Sequence, residues 1–125
     1  MATRDEIRSV CDRYVAACSA SDVAVVVSLF ADDAWIEDPV GSERRIGLQA
    51  ITESYRQNLS YELRFRPLGP VIVVATRAAF QITGEAKIGE GWMPLPPTIE
   101  VMSFDSGDRI ASLEAYYEVE PPSVD

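Results

Sequence analysis

The chain has 125 residues, 47% of them apolar and 25% charged, which is the length and mix of one globular domain rather than two. Twenty acidic residues against eleven basic ones leave a net charge of −9. Duplex binding needs clustered Lys and Arg, and an anionic membrane surface repels such a chain, so neither a nucleic acid nor a membrane is expected as a partner. There is no histidine. Ser-His and Cys-His nucleophiles, His-bearing zinc sites and imidazole bases are therefore excluded, and acid-base chemistry falls to carboxylates, tyrosines, Cys11, Cys18 or Lys87.

The first helix is signalled by a capping box, Thr3 with Glu6, and by Asp5 and Glu6 at the positive end of its dipole. Ile7, Val10, Cys11, Tyr14, Ala17 and Cys18 follow at helical spacing and mark one buried stripe, which turns Tyr14 inward. Cys11 and Cys18, seven residues apart on that helix, lie about 10 Å from each other and cannot bridge. They read as small buried thiols of a reducing compartment. With no charged-then-apolar leader pattern and no apolar run of membrane-spanning length, a cytoplasmic location is expected.

Asp22 can cap a second helix whose Val23, Val26, Val27 and Phe30 face inward and which Asp32 and Asp33 close. Trp35 and Ile36 form a short strand ended by Asp38, Pro39 and Gly41. Residues 47–59 make a third helix, capped by Gly47, with Leu48, Ile51, Tyr55 and Leu59 on one stripe. Beyond it the period changes to two. Val71–Val74 is an apolar strand, and Arg77–Glu85 alternates with Ala78, Phe80 and Ile82 on its buried side. Gly89–Gly91 is a turn, and Trp92–Pro97 is a proline-rich approach to the strand Thr98–Phe104. A second hairpin turns at Ser106, Gly107 and Asp108 into Arg109–Glu118. The expected fold is a single α+β domain over residues 1–120 with a loose tail at 121–125, in which a curved, mostly antiparallel sheet wraps three helices and encloses a cavity.

Three polar residues stand where that pattern asks for apolar ones or at the cavity mouth. Tyr14 lies on the buried stripe of the first helix and is either a core tyrosine with a backbone partner or a donor to a ligand. Asp38, before Pro39, is either an ordinary turn residue or a base. Glu100 shares a strand face with Met102 and Phe104, yet the opposite face, with Ile99 and Val101, is equally apolar, so its side of the sheet stays open. Arg44 and Arg45 read as a solvated loop pair. An ionised carboxylate beside hydroxyl and neutral carboxyl donors would suit enolisation of a ketone.

The ordered set Arg13-Tyr14, Ser21-Asp22, Phe30 to Ala34, Ile36 to Gly41, Tyr55-Arg56-Gln57, Gly69-Pro70-Val71, Phe80, Glu100 to Asp105, Arg109-Ile110 and Ala115-Tyr116-Tyr117 resembles the ketosteroid isomerase (steroid delta-isomerase) family, within the nuclear-transport-factor-like, SnoaL-like superfamily. The resemblance implies a cone-shaped, cystatin-like roll with three N-terminal helices in the concave face of the sheet, a homodimer, and a deep apolar pocket for a steroid or similar apolar ketone. It implies no cofactor and no metal. Asp38 then matches the base that moves a proton from carbon 4 to carbon 6 of a 5-ene-3-ketosteroid, giving the conjugated 4-ene-3-ketosteroid, and Tyr14 matches the donor to the dienolate oxygen. An Asp base with a Tyr and a protonated Asp as oxyanion donors is a known arrangement for this chemistry. Tyr55 matches a supporting tyrosine, and Phe80, Ile82, Leu113, Ala115 and Tyr117 match the substrate-binding wall. Two departures stand out. Glu100 occupies the place of the family's second oxyanion donor, an aspartic acid, and is expected to act as a protonated acid one methylene longer. Phe30 stands where some members carry a tyrosine. The hairpin at 88–97 is longer than in the better-known members. The alternatives are a polyketide-cyclase-like enzyme, which needs no clamp between Tyr14 and Glu100, and a non-catalytic binder of small hydrophobic ligands.

Overall fold

The computed structural model describes residues 2–119; the loose tail expected at 121–125 lies outside them. The helix α1, Arg4–Ser19, starts where the capping box places it, with Thr3 Oγ1 accepting from the Glu6 amide at 3.1 Å. Its whole expected stripe, from Ile7 to Cys18, is buried. Asp22 caps α2, Val23–Ser28, through the Val25 amide. This helix is shorter than the spacing suggests. The Ile110 amide donates to Leu29 O at 2.8 Å and Phe30 pairs with Ile110, so sheet pairing takes Phe30, Asp32 and Asp33 out of the helix and into β1, Phe30–Glu37.

β2, Arg45–Ile46, pairs with β1, and α3, Leu48–Asn58, follows from Gly47 with Ile51 and Tyr55 buried. Next comes β3, Leu63–Pro67, which no expectation covered, although Leu63, Arg64, Phe65 and Arg66 alternate apolar and basic at period two. β4, Ile72–Val74, pairs with β5; alternation buries Val73 and leaves Ile72 and Val74 exposed on the other face. β5, Arg77–Ile88, and β6, Gly91–Phe104, form the long hairpin at the centre of the molecule, and β7, Ile110–Tyr116, closes the chain. The strand order is β2-β1-β7-β6-β5-β3, with β4 off the path on β5, and all pairings are antiparallel except β1 with β7.

The stretch Trp92–Pro97 is strand rather than an approach to one. It pairs with β5, while the registered pairs between β6 and β7 begin at Ile99, so Pro94, Pro96 and Pro97 stand where no second neighbour asks for their missing N–H. Between the pairs Ile82 with Thr98 and Gly84 with Leu95, two prolines oppose the single residue Thr83, a bulge that bends the hairpin. Gly84 is required there: a Cβ on it would meet Arg64 O at 2.1 Å, so β3 approaches closely only because that side chain is missing. The helices lie in the curve of this sheet. The Ser19 hydroxyl fastens α1 to β3 by accepting from the Phe65 amide at 3.0 Å and donating to Phe65 O at 3.3 Å. None of the described helices is long and apolar enough to cross a membrane.

Candidate active site

Sheet register decides the face of Glu100. Met102 and Phe104 share its parity and are buried with it, while Ile99 is 45% exposed on the other side, so Glu100 points inward at 5% exposure. Phe80 and Ala115 flank it across the neighbouring strands. Tyr14, three turns into α1, and Tyr55, two turns into α3, meet at 2.8 Å between their hydroxyls, and the Phe30 ring packs against both, with centroids at 6.5 and 5.9 Å. Asp38 follows the last residue of β1. The parallel pair Glu37 with Glu114 and the Val40 amide donating to Ala115 O at 2.9 Å hold its segment beside β7. Next to it, Glu37 accepts from the Gly41 amide at 2.9 Å and from Arg44 Nε at 3.0 Å, and the Arg44 guanidinium lies 3.8 Å over the Trp35 ring. Arg44 is exposed, as expected of a solvated loop residue, and in addition its bond to Glu37 braces the turn that carries Asp38.

These residues surround one cavity of about 230 Å³. Tyr14, Asp38, Tyr55, Glu100, Ile82, Ala115 and Tyr117 all line it. Phe80 and Leu113 do not; they are buried in the core behind the wall. Sequence reasoning missed Val15, Cys18, Asn58, Leu59, Phe65, Thr83, Leu95, Pro96 and Thr98 as lining residues. Some signals were present. Cys18 and Leu59 are one helical turn beyond Tyr14 and Tyr55, and Thr98 shares the face of Glu100. Phe65 and Leu95 depended on β3 and on a strand through prolines, neither of which was expected.

The electrostatics follow from a wall without cations: no Lys or Arg side chain is among its described residues. Burial first, then repulsion from Asp38, holds the Glu100 carboxyl well above the usual carboxylate range. Its Oε2 has no hydrogen-bond partner among the described residues. Burial also raises Asp38, and the Tyr117 phenol, by favouring the ionised form, partly reverses that rise. Burial keeps both Tyr14 and Tyr55 protonated far above the ordinary tyrosine value. Cys18 is pushed up to about 12, chiefly by burial, so it lines the cavity as an unreactive thiol. Among the described residues no group of three His, Cys, Asp or Glu side chains is placed to hold a metal ion. The arrangement can accept a proton at Asp38 and donate hydrogen bonds from Tyr14 and a neutral Glu100 to an oxygen that gains charge.

The SnoaL-like domain profile matches residues 11–113. The chain belongs to the SnoaL-like domain family. A steroid Delta-isomerase of Nocardioides simplex is 32% identical to it over 112 residues, 90% of this chain and 89% of that protein. A solved structure, described as the epoxide hydrolase/cyclase-like enzyme SalBIII in pyran ring formation in the polyether salinomycin, aligns over 95% of each chain with a TM-score of 0.85 at 21% identity, a likeness of fold. This SnoaL-like domain is therefore a homologue, at moderate identity, of a steroid isomerase, on a fold that also serves cyclase-like enzymes.

Within the SnoaL-like domain, removing the Tyr117 hydroxyl should leave burial unopposed at Asp38. Tyr117→Phe is expected to raise the midpoint of Asp38 protonation, because the variant loses an interaction made with the carboxylate and not with the acid. A carbon-13 NMR titration of the Asp38 carboxyl reads it; an unchanged or lowered midpoint contradicts the assigned interaction.

Proposed function

We propose that this protein is a cofactor-independent steroid delta-isomerase that converts a 5-ene-3-ketosteroid to the conjugated 4-ene-3-ketosteroid. Ionised Asp38 removes a proton from carbon 4, leaving a dienolate. The protonated Asp38 carboxyl then returns that proton to carbon 6, so the double bond moves and no redox partner is consumed. The negative charge that develops on the ketone oxygen is met by two donors, the Tyr14 hydroxyl and the protonated Glu100 carboxyl. Tyr55, hydrogen-bonded to Tyr14 at 2.8 Å, can donate to that oxygen and so orient the Tyr14 proton toward the ligand.

The observation that carries this reading is the division of labour between two carboxyls in one apolar cavity. Glu100, buried and with its Oε2 unpartnered among the described residues, keeps its proton, while Asp38, nearer the rim and supported by Tyr117, is the one that ionises first. A cyclase-like reading uses the same fold but gives no role to a Glu100 acid aimed at the same space as Tyr14. The homodimer implied by the resemblance finds support in the outer face of the sheet, where Val40, Ile99, Tyr116 and Val119 border an open groove and are all exposed. Sedimentation equilibrium checks it, and a monomer at micromolar concentration would remove that part of the proposal.

The decisive comparison is wild type against Asp38→Asn, followed by conjugated-enone absorbance with a 5-ene-3-ketosteroid. The variant is expected to lose roughly 100- to 10,000-fold in turnover, the share supplied by a positioned base. It should still bind a phenolic steroid, which resembles the dienolate. Turnover that survives the substitution would contradict the role of Asp38. Equal affinity for phenolic and non-phenolic steroids would favour a carrier.

A further inference from the structure

The cavity has a second polar pole. Three elements run from its buried end toward its rim; two of them, α3 and β6, pass from an acid-base group to a neutral polar one, and the third, β5, passes from an apolar residue to a neutral polar one. On α3, Tyr55 is 3% exposed, and Asn58, about 5 Å further along the helix, is at the open rim. On β6, Glu100 is deep, and Thr98, on the same face about 7 Å outward, is half-buried. On β5, the lining shifts from buried Ile82 to half-buried Thr83, the residue opposite the two prolines of the bulge. Between the two poles the wall is apolar: Cys18, Leu59, Phe65, Leu95 and Ala115.

Resting on the reading in which the ketone sits at the Tyr14 and Glu100 end, we infer that Asn58, Thr83 and Thr98 form a distal subsite selecting ligands with a hydrogen-bonding oxygen at the end opposite the reacting ketone. The Asn58 amide and the Thr83 hydroxyl can donate to a distal carbonyl. Thr98 already donates to Pro96 O at 3.1 Å and keeps its lone pairs for a distal hydroxyl. Asn58 Nδ2 reaches Ser54 Oγ only at 3.5 Å, so its second amide hydrogen and its carbonyl are available. A few polar groups at both ends of an apolar slot fix the direction in which a long molecule lies, and here the favoured ligand is oxygenated at both ends. The subsite also orients the substrate, because the end held at the rim determines which oxygen reaches Glu100.

The test is equilibrium binding of two phenolic steroids, equilenin with its distal 17-ketone and its 17-deoxo counterpart, to wild type, Asn58→Ala and Thr83→Val. Wild type should bind the ketone-bearing phenol about 5- to 10-fold more tightly, the worth of one net hydrogen bond. At least one variant should reduce that ratio to about twofold or less while binding the deoxo phenol as wild type does. Asn58 is exposed and Thr83→Val keeps the shape of the side chain, so loss of fold does not mimic this result. Equal binding of both phenols by wild type overturns the subsite while leaving the oxyanion pole intact. A ratio that persists in both variants overturns it as well. Failure to bind either phenol removes the isomerase reading, and the subsite falls with it.

Discussion

A carboxyl group taken into an apolar interior with neither a cation nor a hydrogen-bond partner holds its proton, since the alternative is an uncompensated buried charge. Glu100 is in that position: 5% exposed, Oε2 unpartnered, and on a wall to which no basic side chain contributes among the described residues. The rest of the site depends on this constraint. A neutral acid donates a hydrogen bond, whereas an ionised one would repel the enolate of the proposed reaction. The acidic composition supports it, because a chain with a net charge of −9 and few basic residues offers little to neutralise a buried carboxylate. Asp38, closer to the rim and helped by Tyr117, is raised less strongly, so two residues of the same chemistry are pushed apart by their surroundings, as the proposed base and acid roles require.

Placing those groups is the work of the sheet. β1 and β7 lie side by side in parallel, which brings the end of β1, and Asp38 with it, to the end of β7 where Tyr117 stands. The bent β5–β6 hairpin, with prolines where β7 has no registered partner and a glycine under β3, carries Glu100, Thr98, Leu95 and Thr83 down one face. The helices supply the opposite side, and the Tyr14–Tyr55 bond joins two of them at the buried end of the cavity.

Much of this was legible in the residues. Helical spacing turned Tyr14 and Tyr55 inward, and the capping box fixed the start of α1 to the residue. The legible parts are local: a period, a cap, a turn. The face of Glu100 was not, because Ile99 and Val101 are as apolar as Met102, and only pairing with β5 and β7 distinguishes the two sides. The end of α2 was missed for the same kind of reason, since Phe30 continues the helical stripe and leaves it only because Ile110, eighty residues away in sequence, pairs with it. The proline-rich half of β6 was hidden by propensity, which does not know that the strand lacks a second neighbour there. The resemblance supplied candidate roles for Phe80 and Leu113, but the structure puts both behind the cavity wall, where they support the lining without forming it.

The protonation state of Glu100 tests the account most directly. Glutamate labelled with carbon-13 at the side-chain carboxyl, with the resonance assigned by its loss in Glu100→Gln, can be followed by NMR through neutral pH in the unliganded protein. The Glu100 carboxyl is expected to be neutral at pH 7, titrating well above the ordinary value of about 4.3 or not at all. A carboxylate already ionised at pH 7, with a midpoint in the ordinary range, would contradict it.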